Sequence, residues 1–133
     1  MWSHAEKAVF LCLAQKQLQG HLFVNAGEPR GSRRFATGTQ RAWYAVSFGK
    51  NAGEIRAEVY LDSAARAKFA QLASHRAELE AVAETSPSTS VRLDDGIRLA
   101  FVRKFDAAQR DEALAWVVTH LQRLRDSLGS ELR

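Results

Sequence analysis

The stretch Trp43–Asp62, WYAVSFGKNAGEIRAEVYLD, decides the fold. In its second half Ile55, Ala57, Val59 and Leu61 alternate with Glu54, Arg56, Glu58 and Tyr60. A period of two sends successive side chains to opposite faces, so Glu54–Leu61 predicts a strand with one dry and one wet face. Upstream, Arg41–Phe48 reads as a second strand. Between them Gly49-Lys50-Asn51-Ala52-Gly53 has the length and residues of a hairpin loop, which makes the two strands antiparallel.

Towards the N-terminus, Ser3–Gln19 reads as a helix. Ser3 and Glu6 form an S-x-x-E capping box, Gly20 supplies a stop, and Val9, Phe10, Leu13 and Leu18 give it a side to bury. The short β-prone run His21–Asn25 predicts a strand, and Ala26–Gln40, rich in glycine, arginine and small polar residues, predicts a loop. Towards the C-terminus, Asp62 or Ser63 caps a helix reaching about Glu84, with Phe69, Leu72, Leu79 and Val82 along one side. Pro87 ends that segment. Val91–Leu93 and Ile97–Phe105 then flank Asp94-Asp95-Gly96, a hairpin signal. Asp106 caps a last helix, Ala107–Leu128, with Leu114, Val117, Leu121, Leu124 and Leu128 on one face and Gly129 at its end. The order α-β-β-β-α-β-β-α predicts an α+β fold with an antiparallel sheet and helices packed mainly on one face.

A length of 133 residues suits one domain, 1–133, and its 46% hydrophobic and 26% charged composition is that of a globular chain rather than a disordered one. The single cysteine, Cys12, sits between Leu11 and Leu13 and reads as a core residue. One cysteine rules out a disulfide framework within the chain, which favours a cytoplasmic setting. No run approaches the roughly 20 apolar residues a membrane-spanning helix needs, so no membrane partner is expected. The net charge of +4 favours polyanions.

Signatures of chemistry are sparse. His4, His21, His75 and His120 show no i, i+4 pair and no ligand spacing with cysteine or aspartate, so neither a metal nor another cofactor is expected. The chain holds no phosphate-binding G-x-x-x-x-G-K-[ST] or G-x-G-x-x-G and no G-x-S-x-G elbow. A nuclease-like Glu-x-Lys would need lysine where Glu58-Val59-Tyr60 places tyrosine, and Glu54 and Glu58 beside Arg56 read as a cross-strand charge network. The chain is therefore not expected to be an enzyme.

Basic residues carry the stronger signal. The loop segment EPRGSRRFATGTQR holds Arg30, Arg33, Arg34 and Arg41 against one acid, Glu28. A guanidinium fork binds phosphate bidentately, and Phe35 and Trp43 nearby offer rings on which bases could stack; the competing reading is a solvated loop with Trp43 in the core. Arg98 and Lys104, if they share the outer face of the last strand, add a basic stripe; Lys50 lies in the hairpin loop. On the last helix Trp116 and His120 fall off the leucine stripe. They mark a partner interface or, in the plainer reading, a wide core-facing stripe.

From Trp43 through FAQLASHRAELEA the order of features resembles an uncharacterised bacterial domain-of-unknown-function family, often found C-terminal to PD-(D/E)XK-type endonuclease domains. The resemblance rests on Arg56, Glu58, Tyr60, Phe69, Leu72, Arg76 and Glu80, and on Trp116, Leu121 and Leu124 in the closing helix. Where that family continues with a glycine and a tryptophan-bearing strand, this chain has AVAETSPSTSVRLDDG. The resemblance implies an accessory, target-binding role in nucleic-acid metabolism or defence and transfers no catalytic residue. The element order also resembles type III secretion chaperones, small homodimers that are usually acidic. The expected function is thus a non-catalytic nucleic-acid-binding or defence-associated module contacting phosphates. The alternative is a protein-interaction module, homodimeric or inhibitory, using the last helix.

Overall fold

The computed structural model describes residues 1–21, 23–27 and 31–132. Among the described residues four α-helices and six strands follow one another: α1 (His4–Gly20), β1 (Asn25–Gly27), β2 (Ser32–Ala36), β3 (Ala42–Phe48), β4 (Glu54–Leu61), α2 (Phe69–Ala73), α3 (Arg76–Glu84), β5 (Ser90–Asp94), β6 (Arg98–Lys104) and α4 (Arg110–Leu128). All strands pair antiparallel in one sheet of order β1-β2-β3-β4-β6-β5. The α+β class and the expected order hold, with one strand more.

That strand corrects the sequence reading. Ala26–Gln40, expected to be a loop, contains β2, and the strand expected at His21–Asn25 lies at Asn25–Gly27. β2 forms because β3 offers it a full antiparallel partner from Ser32↔Ser47 to Ala36↔Trp43. Pairing, rather than local propensity, makes it a strand. The β3–β4 hairpin is as expected: Gly49 N–H donates to Glu54 O (2.7 Å), and Gly53 sits at φ 73° with the Phe105 carbonyl 2.7 Å from where a Cβ would be. In the β5–β6 turn Asp95 (φ 55°) and Gly96 (φ 70°) are both left-handed, as that Asp-Gly step suggests.

The helix expected from Ser63 to Glu84 is broken into a 3-10 segment, Ser63–Lys68, then α2 and α3. The last helix likewise opens with a 3-10 turn, Ala107–Gln109, capped by Asp106. At α1 the capping box is present in both directions, Ser3 Oγ accepting from Glu6 N–H and Glu6 Oε1 from Ser3 N–H.

Helices cover one face of the sheet. Tyr44, Val46, Ile55, Ala57, Val59, Leu61, Leu99 and Phe101 point into a core shared with Phe10, Leu11, Ala14 and Leu18 of α1 and with Leu114, Val117, Leu121, Leu124 and Leu128 of α4. Each large apolar side chain so buried contributes about 1.5–3 kcal/mol. Trp2 closes one end, donating Nε1–H to Phe105 O (2.8 Å) against Phe10 and Phe48. Two α1 residues are corrected: Val9 is exposed, and Cys12, read as core, is exposed as well. Consecutive helical residues differ by about 100°, so Leu11 points inward and Cys12 outward.

Candidate functional site on the helix-free sheet face

Register fixes what the opposite face presents. One row runs Trp43, Tyr60, Arg98, Asp94; the next Arg34, Ala45, Glu58, Ala100, Arg92; the third Ser32, Ser47, Arg56, Val102, Ser90. The small Ala45 and Ser47 of β3 lie between Arg34 of β2 and the long Arg56, Glu58 and Tyr60 of β4. The result is a trough of about 370 Å³ lined by Ser32, Arg34, Ala45, Ser47, Lys50, Arg56, Glu58, Tyr60 and Arg98.

This face was expected to be wet, yet Glu54, Arg56 and Glu58 of β4 are all buried. Charged neighbours cover them. Arg92 Nη1 donates to Glu54 Oε1 (2.9 Å), Asn51 Nδ2 to Glu54 Oε2 (3.0 Å), and Ser47 Oγ to Glu58 Oε1 (2.9 Å). Arg56 pairs with Asp94 and, at 3.5 Å, with Glu54; Arg98 Nε lies 3.3 Å from Glu58 Oε2. Burial raises the Glu58 carboxyl above the usual glutamate range, against the opposing pull of Arg98 and the Ser47 hydrogen bond.

The network is layered. The Glu54 and Glu58 side chains are 1% and 4% exposed, whereas Arg92 and Arg98 are 38% and 39% exposed. Acids lie underneath and guanidinium groups above them, so the solvent-facing layer is largely cationic. Lys50 and Lys104 are exposed on the same face. Arg34 stacks over Trp43 (4.4 Å) and Tyr60 (5.5 Å), Arg98 stacks over Tyr60 (5.2 Å), and the two rings are stacked at 6.0 Å. Arg34 has no ion pair among the described residues.

The arginines expected to act together are separated by strand alternation. Arg34 and Arg98 share the helix-free face, with Lys50 and Lys104. Arg33 points to the other side, donating Nε–H to Gln15 Oε1 (3.1 Å) and an Nη2–H to Cys12 Sγ (3.6 Å). Arg41, left-handed at φ 67°, pairs with Asp62 at 2.9 Å before β3 begins. Arg30 lies outside the described residues. Phe35, offered as a stacking ring, is fully buried in the core, whereas Trp43 is only half-buried.

The expected interface on α4 is corrected too. Trp116 and His120 are buried, stacked on each other at 4.6 Å and packed edge-on against Phe105 and Phe101. Trp116 Nε1–H donates to Thr89 Oγ1, and burial lowers the His120 pKa below the ordinary histidine value. The plainer reading, a wide core-facing stripe, is the one realised.

Among the described residues no group of three or more histidine, cysteine or acidic side chains is placed to hold a metal ion. No helix there is long and apolar enough to cross a membrane. A second concavity of about 320 Å³ lies between the starts of α1 and α4, lined by Trp2, Ala5, Val9, Ala107 and Arg110. Comparisons with protein-family models, with curated proteins and with solved structures find no match for this chain.

Proposed function

We propose that the protein is a non-catalytic nucleic-acid-binding module whose contact surface is the helix-free face of the sheet. The observation that carries this reading is the layering: buried Glu54 and Glu58 lie beneath Arg92 and Arg98, and the one partly exposed acid of the rows, Asp94, is paired with Arg56, so the face offers cations to a partner. Arg34, Lys50 and Lys104 extend that layer. A backbone of phosphates is the complementary surface, and its displaced counterions drive association. Contacts of this kind position the nucleic acid rather than read its bases. The resemblance of the 43–84 region to domains that accompany endonucleases points the same way, towards an accessory role in nucleic-acid metabolism or defence.

Binding of labelled DNA and RNA, followed by fluorescence anisotropy across a salt series, tests the reading. The triple variant Arg34→Ala/Lys50→Ala/Lys104→Ala is expected to weaken binding and to lower the slope of log K against log[salt] by about 2–3. A control triple, Lys16→Ala/Arg66→Ala/Arg110→Ala, removes the same charge from exposed positions off that face and should leave more of the affinity. Equal loss in both variants would remove the assignment of the surface.

A further inference from the structure

Resting on that reading, we infer that the ligand is single-stranded, with one nucleotide seated in the trough and its base stacked beside the Trp43–Tyr60 pair. Three observations on the sheet face support this.

First, the trough is sized for a nucleotide. About 370 Å³ lies at the low end of the range of small-ligand sites and cannot admit a duplex. The small side chains Ser32, Ala45 and Ser47 keep its floor low, and Arg34, Tyr60, Arg98 and Lys50 stand around it.

Second, one wall is aromatic. Tyr60 lines the trough, and Trp43 lies beside it, 21° from parallel; both are half-buried, and their partly open rings suit a base that is not paired to a second strand. Guanidinium groups already lie over these rings, and a stacked guanidinium keeps its in-plane N–H groups for phosphate.

Third, the trough's polar groups are short of partners. Arg56 Nε, Arg98 Nε and Glu58 Oε2 are buried without a hydrogen bond, and the Arg56 side chain is only 9% exposed. Arg98 pairs with Glu58 at 3.3 Å without an aligned hydrogen bond. Swinging its 39%-exposed guanidinium outward would place it on a phosphate and open Glu58 as an acceptor for a base N–H.

The tryptophans supply a local readout. Trp2 and Trp116 are buried, so quenching of tryptophan emission by a bound base reports Trp43. The experiment titrates the full chain with single-stranded DNA and RNA decamers and with duplexes of the same sequences, reading anisotropy and emission together. Expected are preference for the single strand and quenched emission. Trp43→Phe should abolish the quenching while keeping binding within about threefold, because phenylalanine still stacks. Trp43→Ala should weaken binding roughly 5- to 150-fold. Trp43→Phe also guards against misfolding, since it keeps a ring at the position.

Duplex binding at equal or higher affinity with unchanged emission would overturn the single-strand inference and leave the proposed function standing. Single-strand binding without a change in Trp43 emission would overturn the seat in the trough. Absence of binding to any nucleic acid at low salt would overturn both readings. The relative affinities of the DNA and RNA decamers identify the sugar preferred, and either preference supports the seat if Trp43 is quenched.

Discussion

The two faces of the sheet bury their side chains by different means. Along β4, Ile55, Ala57, Val59 and Leu61 are shielded by helices, while Glu54, Arg56 and Glu58 are shielded by neighbouring charged side chains on the same face. Burial alone therefore does not distinguish core from surface here. On the helix side it removes apolar area from water; on the other side it draws acids under guanidinium groups, at a desolvation cost that ion pairing only partly offsets. A face built in the second way holds its shape and still presents charge.

The largest expected effect lies on the helix side. Phe101→Ala should lower stability by about 3–5 kcal/mol, measured by urea denaturation, because the ring is fully buried between β6 and α4. A loss under about 1 kcal/mol would break the comparison, since it would make that face as tolerant as a surface.

On the other face Glu54→Ala should cost somewhat less, about 1.5–3 kcal/mol, because the buried Arg56 loses one of its two acids and keeps Asp94, while Arg92 can still reach water. A double-mutant cycle with Arg56→Ala should recover part of this loss. Strict additivity would mean that the pair is not coupled.

Proton titrations give the next effect. His75 sits between Glu131 (2.7 Å) and Glu78 (3.3 Å); the Glu131 hydrogen bond in particular holds its pKa above 6.5. Its stabilising contribution is complete below 6.5 and disappears as pH rises through the raised value. His120 has the opposite sign: burial lowers its pKa, so its contribution is complete above 6.5 and is lost as pH falls through the lowered value. Glu58, raised by burial, stabilises below about 4.5 and loses that contribution as pH rises through its folded value. Histidine NMR titrations should place His75 above 6.5 and His120 below it. The reverse order would contradict the packing described for both.

Smallest is Arg34→Ala, about 0.5–1 kcal/mol from the lost stacking on Trp43. Its value is as a sharpening test: melting should barely change while nucleic-acid affinity drops. If stability and affinity fall together, Arg34 serves the fold rather than the ligand.

Legibility in the sequence followed the locality of the cause. The β3–β4 hairpin, the Ser3/Glu6 box and the leucine stripe of α4 are each specified within a few turns or strand residues, and each was readable. β2 was not. Ser32-Arg33-Arg34 has little strand character, and only pairing with β3 makes it one. The same strand splits Arg33 from Arg34, which a loop would have left together. Burial of Glu54 and Glu58 depends on β6 lying alongside β4 with β5 beyond it, a register between segments about 40 residues apart in sequence. Trp43 and Arg98 were named from the sequence, whereas the pairing of Trp43 with Tyr60 and the stacking of Arg34 and Arg98 over these rings became visible only once the strands were aligned.

The sheet order has a kinetic consequence. β6, not β5, lies beside β4, so the later hairpin must fit its second strand against the earlier one while its first strand stays at the edge. Both hairpins close over short turns, which is fast; pairing Tyr60 with Arg98 closes a long loop carrying α2 and α3, which is slow. Docking of two preformed hairpins is then the step expected to limit the folding rate. Substitutions at the β4–β6 seam, such as at Ala57 or Phe101, should slow folding, whereas those in α1 should chiefly speed unfolding.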